Sequence, residues 1–104
     1  MPETEGGVMN MAVYLITYDL NKSGQSYDKL YEQIKSCGAW WHYLDSTWLV
    51  DSTLNATQIR DRMKSAMDDN DFCLVIKLTN ENYQGWLKKK AWDWIHEHLG
   101  HSRY

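Results

Sequence analysis

The spacing of hydrophobic residues changes along this chain between the period of a strand and the period of a helix. Residues 12–20 read AVYLITYDL, a run of good strand formers, and predict a buried β-strand that ends on the carboxylate of Asp19. After a polar loop, apolar residues recur at helical spacing over about residues 27–37. Ser26 is the predicted N-cap of this helix and Gly38 its predicted stop.

The middle of the chain holds two short aromatic and β-branched runs. Residues 39–44 and 47–51 are separated by Asp45 and Ser46, which favours a β-hairpin. A single bent strand is the competing interpretation of the same pattern.

The next segments repeat the succession of helix and strand. Residues 56–67 carry an apolar stripe at helical spacing, and Asn55 with Gln58 three residues later resembles a capping box. The acidic run 68–71 is interpreted as a solvated turn. It leads into residues 72–78, where alternating side chains predict the last strand.

The predicted order of strand, helix, strand, strand, helix, strand is that of a ferredoxin-like α+β sandwich (βαββαβ). An additional C-terminal helix is predicted at about residues 86–99, with Gly100 as its stop. In this topology the two main helices cover one face of the sheet. Because neighbouring strand residues point to opposite faces, Trp40 and Trp41 cannot both lie under those helices. We expect aromatic side chains on the second face, covered by the last helix, by a second copy of the chain, or by both.

Length and composition place these elements in one domain. The 104 residues indicate a single domain at 11–100, with residues 1–10 as a flexible leader and 101–104 as a short tail. The sequence has no apolar run of membrane length and no secretory segment, so we expect a cytoplasmic protein without a membrane partner. Cys37 and Cys73 have no metal-binding spacing and are interpreted as reduced thiols.

Two features of the composition bear on partners. The net charge of −3 provides no overall basic field for nucleic acid. The chain holds 6 Trp and 7 Tyr but only 1 Phe, a bias towards amphipathic aromatic residues that favours half-buried surfaces and interfaces.

With its first strand ending in Tyr18-Asp19-Leu20, the chain resembles the small CRISPR-associated proteins that partner the adaptation integrase. Members of that family open with an apolar strand that ends in a Tyr-Asp motif. Residues 27–38, with their glycine stop, resemble the first helix of the family. Ser46-Thr-Trp-Leu-Val50 resembles its short central strand, and residues 55–67 resemble its second helix. The similarity thus spans roughly residues 11–80. The virulence-associated protein D group shares this scaffold, and small bacterial proteins labelled SinR-like begin in a similar way.

The resemblance implies a homodimer of ferredoxin-like folds in which the strand-end aspartates of both subunits face each other. Some family members are credited with metal-dependent cleavage of RNA or DNA, and others act as non-catalytic scaffolds. Asp19 is the one residue that matches the family's catalytic or metal-binding position, so the resemblance implies Mg²⁺ at Asp19.

Three departures separate the chain from the family pattern. The chain is acidic overall, the loop after Asp19 has one lysine and no arginine, and a helix from Trp86 onward stands where the family often has only a short tail strand. These departures argue against a partnership with the adaptation integrase.

The chemistry of Asp19 depends on symmetry. A single carboxylate holds Mg²⁺ poorly, because the ion favours octahedral oxygen ligands and usually takes one or two carboxylates together with phosphate oxygens. A two-fold axis would supply a second Asp19, and the pair would then position a metal-bound water for phosphodiester attack. The alternative is a structural Asp19 that accepts backbone N–H bonds or caps the following loop.

Other candidate ligands favour structural interpretations. Asp45 and Asp51 flank a predicted strand, and His42 lies within one. The spacing of His96 and His98 does not direct both side chains to one face of a helix, unlike the spacing of four in zinc-binding helices.

The basic run Lys88, Lys89 and Lys90 is the candidate nucleic-acid contact. Beside Trp86 and Trp92 it offers phosphate contacts next to stacking surfaces, although a solvated helix face is the simpler interpretation. Two functional hypotheses remain. One is a dimeric, Mg²⁺-dependent nuclease with Asp19 of each subunit at the site. The other is a catalytically silent dimeric module that binds a protein or nucleic-acid partner through an aromatic surface.

Overall fold

The computed structural model describes residues 11–21 and 27–100, which form a four-stranded sheet and three helices. The elements in chain order are β1 (Ala12–Asp19), α1 (Asp28–Lys35), β2 (Ala39–Leu44), β3 (Thr47–Ser52), α2 (Ala56–Lys64), β4 (Phe72–Leu78) and α3 (Lys89–Leu99). The strand order is β2-β3-β1-β4, and every neighbouring pair is antiparallel. This arrangement confirms the predicted ferredoxin-like α+β fold with an additional C-terminal helix.

The helix α1 is shorter than predicted at both ends. Its N-cap is Tyr27 rather than the predicted Ser26, which lies outside the described residues. The first-turn acid Asp28 and the last-turn base Lys35 both suit the helix dipole. Its C-cap is Ser36, two residues before the predicted stop at Gly38.

The helix α2 begins where the sequence predicts. The Asn55 side chain accepts the Gln58 N–H at 2.8 Å, and the Gln58 side chain accepts the Asn55 N–H at 2.9 Å, which confirms the capping box. The helix ends three residues earlier than predicted. The N–H groups of Ala66 and Met67 bond to carbonyls three residues back, so the last turn tightens.

The hairpin interpretation of the aromatic runs is confirmed, and the single bent strand is wrong. Trp40 pairs with Val50 and Trp41 with Leu49, while the register shifts before the turn is reached. The shift adds a local irregularity between Trp41 and Leu44 of the edge strand β2.

One hydrophobic core lies between the sheet and the helices α1 and α2. Alternate residues of β1 and β3 point into this core, and one face of each helix packs against them. Its fully buried side chains are Ile16, Leu30, Ile34, Trp48, Val50, Ile59 and Met63.

A second core lies on the opposite face, under α3. Trp41 is buried there with Leu49 and Val13, against Ala91 and Ile95 of the helix. The Trp41 indole N–H donates to the Ala91 carbonyl at 3.1 Å, so a polar atom of this core is paired. The expectation that the last helix covers an aromatic residue on the second face is therefore confirmed.

The C-terminal helix itself is shorter than predicted at its start. It begins at Lys89 because Lys88 has extended backbone angles, and residues 79–88 are irregular. Gly100 is the C-cap, which confirms the predicted stop. Within the described residues, none of the helices has both the length and the apolar character that crossing a membrane requires.

Candidate functional site

Asp19 is the last residue of β1 and its side chain is exposed. In the sheet it is the register partner of Phe72, the first residue of β4. A shallow recess opens beside it, and the lining residues are Thr17, Tyr18, Asp19, Phe72, Cys73 and Leu74. Asp19 is therefore positioned at the open end of the sheet, as the sequence predicts.

Within one chain, the described residues give Asp19 no partners for a metal site. It is the one carboxylate among the residues that line the recess. Across residues 11–21 and 27–100, no three His, Cys, Asp or Glu side chains come together in a group suited to a metal ion. Because Mg²⁺ needs several oxygen ligands, the described residues of a single chain do not fit the ion at this position.

An uncovered apolar strip lies beside Asp19 on β4. Phe72, Leu74 and Ile76 are 68%, 51% and 46% exposed, and we call these three residues the β4 strip. The register of β4 with β1 places the strip on the same face as Asp19 and Leu15. The helix α3 lies over β1 and β2 rather than over this strip. The described residues thus cover only part of the second face of the sheet.

The segment after Asp19 is fixed by a buried acid in the turn before β4. Asp71 accepts the Asn21 N–H at 2.7 Å, the Asp68 N–H at 2.9 Å and the Tyr27 hydroxyl at 3.3 Å. The prediction of a solvated turn is therefore wrong for Asp71, whose carboxylate joins the end of β1 to the start of β4 and α1.

The three predicted nucleic-acid-binding lysines lie at the start of α3. Lys88 is the N-cap residue, and Lys89 and Lys90 are the first two residues of the helix; all three are exposed. Lys89 forms an exposed ion pair with Asp93 at 2.9 Å. Trp86, two residues before the N-cap, is 99% exposed. The structure thus brings the predicted lysines together with a solvent-exposed indole.

Three more rings stand beside this segment. Tyr83 and Trp92 have ring centroids 6.2 Å apart and planes within 19°, and Trp92 and His96 are 6.1 Å apart with planes within 24°. Trp92 and His96 are one turn apart on α3, which places them on one side of the helix. We call Tyr83, Trp86, Trp92 and His96 the aromatic platform. The sequence indicated two of its members, Trp86 and Trp92.

Two histidines that could have been metal ligands contact other side chains or the backbone within the fold instead. His42 stacks on Trp48 at a centroid distance of 3.7 Å, and its Nε2 lies 3.0 Å from the Asp45 carbonyl. His98 Nδ1 lies 2.6 Å from Oδ2 of the buried Asp51. The pairing of His98 with Asp51 was not predicted; His98 follows the buried Ala91 and Ile95 at helical spacing, which is the sequence signal that could have indicated it.

The pKa shifts give no sign of an activated nucleophile. Burial raises the pKa of both thiols, Cys37 and Cys73, so the uncharged thiol is favoured at each. Both cysteines are free, as predicted. Burial also raises the pKa of the Tyr18 hydroxyl to about 12, against the smaller opposing effect of its hydrogen bond with Trp48.

The chain matches no protein-family model and no curated protein. Two surfaces of the molecule are the candidates for function: the strand-end carboxylate with the β4 strip, and the aromatic platform with its lysines.

Proposed function

We propose that this chain is a homodimeric, nucleic-acid-associated protein similar to the small CRISPR-associated dimers. The observation that carries the proposal is the wholly exposed Trp86 beside Lys88, Lys89 and Lys90. An indole ring left in water forgoes the burial of one of the largest apolar side chains, which is typical of a surface reserved for a partner. Lysines next to exposed rings supply phosphate contacts and stacking together.

The acidic net charge does not oppose a local contact of this kind. At physiological ionic strength charges are screened beyond about 8 Å, so the phosphates nearest α3 respond mainly to the lysines there. The pair of Lys89 with Asp93 is exposed, and exposed pairs contribute about 0–1 kcal/mol. A phosphate can therefore replace Asp93 as the partner of Lys89 at small cost.

The β4 strip supports the homodimer. An edge strand with three exposed apolar side chains is a surface that monomeric proteins usually protect. A second copy of the chain carries the same strip, so a two-fold axis would bury both strips against each other.

A second candidate, hydrolysis at Asp19, depends on how the two copies meet. If two β4 strands paired edge to edge, three strand spacings, or about 14 Å, would separate the two β1 strands. Two Asp19 carboxylates would then be too far apart to share an ion. If the two β4 strips packed face to face instead, the Asp19 ends of the two β1 strands would both lie towards the two-fold axis. The exposed position of Asp19 beside the strip favours this candidate only in the second arrangement.

The oligomeric state is tested by molar mass in solution. We expect the mass of two chains for the wild type and of one chain for Leu74→Lys, because the charge would be buried in the interface. Leu44→Lys is the matched control: Leu44 is 48% exposed and lies on the opposite edge strand, β2. A monomeric wild type, or equal masses for both variants, would exclude the β4 interface.

Nucleic-acid association is tested with labelled single-stranded and duplex DNA and RNA, and cleavage with Mg²⁺ or Mn²⁺ in the same samples. Hydrolysis at Asp19 requires cleavage that Asp19→Ala abolishes and that Asp69→Ala, in the exposed turn before β4, retains. Cleavage that is equal in all three proteins would remove Asp19 from the mechanism. Binding without cleavage would support the other hypothesis, a non-catalytic module that binds nucleic acid.

A further inference from the structure

Three rings of the aromatic platform lie together along one side of α3. Trp92 and His96 are held by the helix, and Tyr83 from the preceding segment stacks on Trp92 and lies tilted beside His96. That segment runs close to the helix: a Cβ atom at Gly85 would be in ordinary van der Waals contact with the Trp92 ring, at 3.6 Å. Trp86 extends into solvent from the next position. Among the described residues, no side chain covers the Trp86 ring, which is 99% exposed.

Flat rings recognise the faces of bases, and those faces are free only in unpaired nucleic acid. In a duplex each base is stacked between its neighbours, so a ring on the protein meets the backbone and the base edges instead. In a single strand the bases can be turned outward and stacked on aromatic side chains, whatever their sequence.

The charges beside the rings are suited to a phosphate backbone rather than to base edges. Lys88, Lys89 and Lys90 are compact charges on flexible stems, and no arginine occurs in residues 79–100, within the described part of the chain. Bidentate reading of guanine edges is typical of arginine or lysine in the major groove, whereas here the cations lie at the start of a helix beside stacking rings. Contacts of this type bind nucleic acid without strong sequence preference.

We infer that Tyr83, Trp86 and Trp92, together with Lys88 and Lys90, bind single-stranded nucleic acid by stacking unpaired bases while the lysines contact the flanking phosphates. This inference rests on the proposed nucleic-acid association and specifies the substrate class of that surface. Lys88 and Lys90 form no ion pair with the described residues, so they are available to phosphates.

The binding experiment uses fluorescence anisotropy of labelled oligomers of about 16 nucleotides, the upper range of a single-strand site. The four probes are a mixed-sequence single strand, its duplex, a single strand of the same length without bases, and a single strand of the other sugar type. Wild-type protein is compared with Trp86→Ala, Trp86→Phe and the double variant Lys88→Gln/Lys90→Gln. Circular dichroism confirms that each variant is folded, and Trp86 is exposed enough that its replacement leaves the cores intact.

We expect the single strand with bases to bind most tightly. Trp86→Ala should weaken that binding by about 5- to 150-fold, the range for loss of one base–aromatic stack. Trp86→Phe should recover part of the loss because it restores a ring face. The double lysine variant should lower the slope of log affinity against log salt by about 1.4, or about 0.7 for each phosphate contact.

Two matched controls separate this surface from the rest of the molecule. Trp40→Ala removes a partly exposed indole on the opposite face of the sheet, and Lys29→Gln removes an exposed lysine on α1. Neither should change the affinity for the single strand.

The outcomes distinguish this inference from the proposed function. Equal affinity for strands with and without bases, or tighter binding of the duplex, would overturn the stacking inference and leave nucleic-acid association standing. The same holds if Trp86→Ala binds like the wild type. No binding to any probe would overturn both, and the platform would then be a surface for a protein partner.

Discussion

His98 on α3 and Asp51 on β3 are joined by a short hydrogen bond, 2.6 Å from Nδ1 to Oδ2. The Asp51 side chain is almost fully buried, and the imidazole is mostly buried. The bond connects the helix that covers the second face of the sheet to the central part of that sheet. Together with the bond from Trp41 to the Ala91 carbonyl, it fixes the position of α3 at two points.

Replacing His98 by Ala should destabilise the protein because it removes one partner of a buried carboxylate. A hydrogen bond to a charged group contributes about 1.5–3 kcal/mol, and we expect a loss of that size in the free energy of unfolding, measured with urea. Glu97→Ala, at the neighbouring exposed position, is the control and should change stability by less than about 0.5 kcal/mol. Equal losses in the two variants would show that the pair does not hold α3.

Gly38 is required where the chain passes from α1 to β2. Its φ is +158°, and a Cβ atom there would overlap the Asp51 carbonyl oxygen, which belongs to the backbone and cannot move aside. Gly38→Ala should therefore cost at least about 2 kcal/mol of stability, in the range of a strained backbone position. Gly85→Ala is the matched control, since its Cβ would meet only ordinary contacts. A Gly38→Ala protein with wild-type stability would mean that β2 and β3 lie further apart than described.

The stability of the fold should fall in alkaline solution because of Tyr18. Its pKa is about 12 in the folded protein and about 10 as a free side chain, so the folded state holds the proton more tightly. The stabilisation is complete below pH 10 and is lost as the pH rises from about 10 to about 12. Two pKa units correspond to about 3 kcal/mol.

The measurement compares wild type with Tyr18→Phe by urea unfolding across this pH range. At neutral pH the variant should be less stable by about 1–3 kcal/mol, because the Trp48 indole N–H donates to the Tyr18 hydroxyl at 2.9 Å and would lose its acceptor. Above pH 10 the difference should shrink and then reverse. A difference that stays constant with pH would contradict a raised pKa of Tyr18.

Much of the fold follows from local patterns in the sequence. The capping box at Asn55 and Gln58 and the strand period in β4 are short-range signals, so the sequence predicts them well. The predicted ends of the helices were less accurate than the predicted order of the elements. Helix α3 begins three residues after its apolar pattern does: Lys88 has extended backbone angles, and Tyr83 in the segment before it stacks on Trp92.

The candidate sites were predicted less completely than the fold. Asp19 was placed correctly at the strand end, but its exposed apolar neighbour Phe72 depends on the register of β1 with β4. Tyr83 joins the aromatic platform only because the chain before α3 folds back along the helix, whereas His96 lies one helical turn from Trp92. A contact between two different segments of the chain leaves no periodic signal in the sequence of either segment.

By itself, the sequence determined the order of the elements, the strand that ends on Asp19 and the lysines at the start of the last helix. Those features depend on residues close together in the chain, where spacing and propensity decide the backbone. Only the tertiary structure decided that α3 covers Trp41 and leaves the β4 strip exposed, and that His98 meets Asp51. Burial is a property of packing between distant segments, and an alternating strand has the same pattern whichever of its faces is covered.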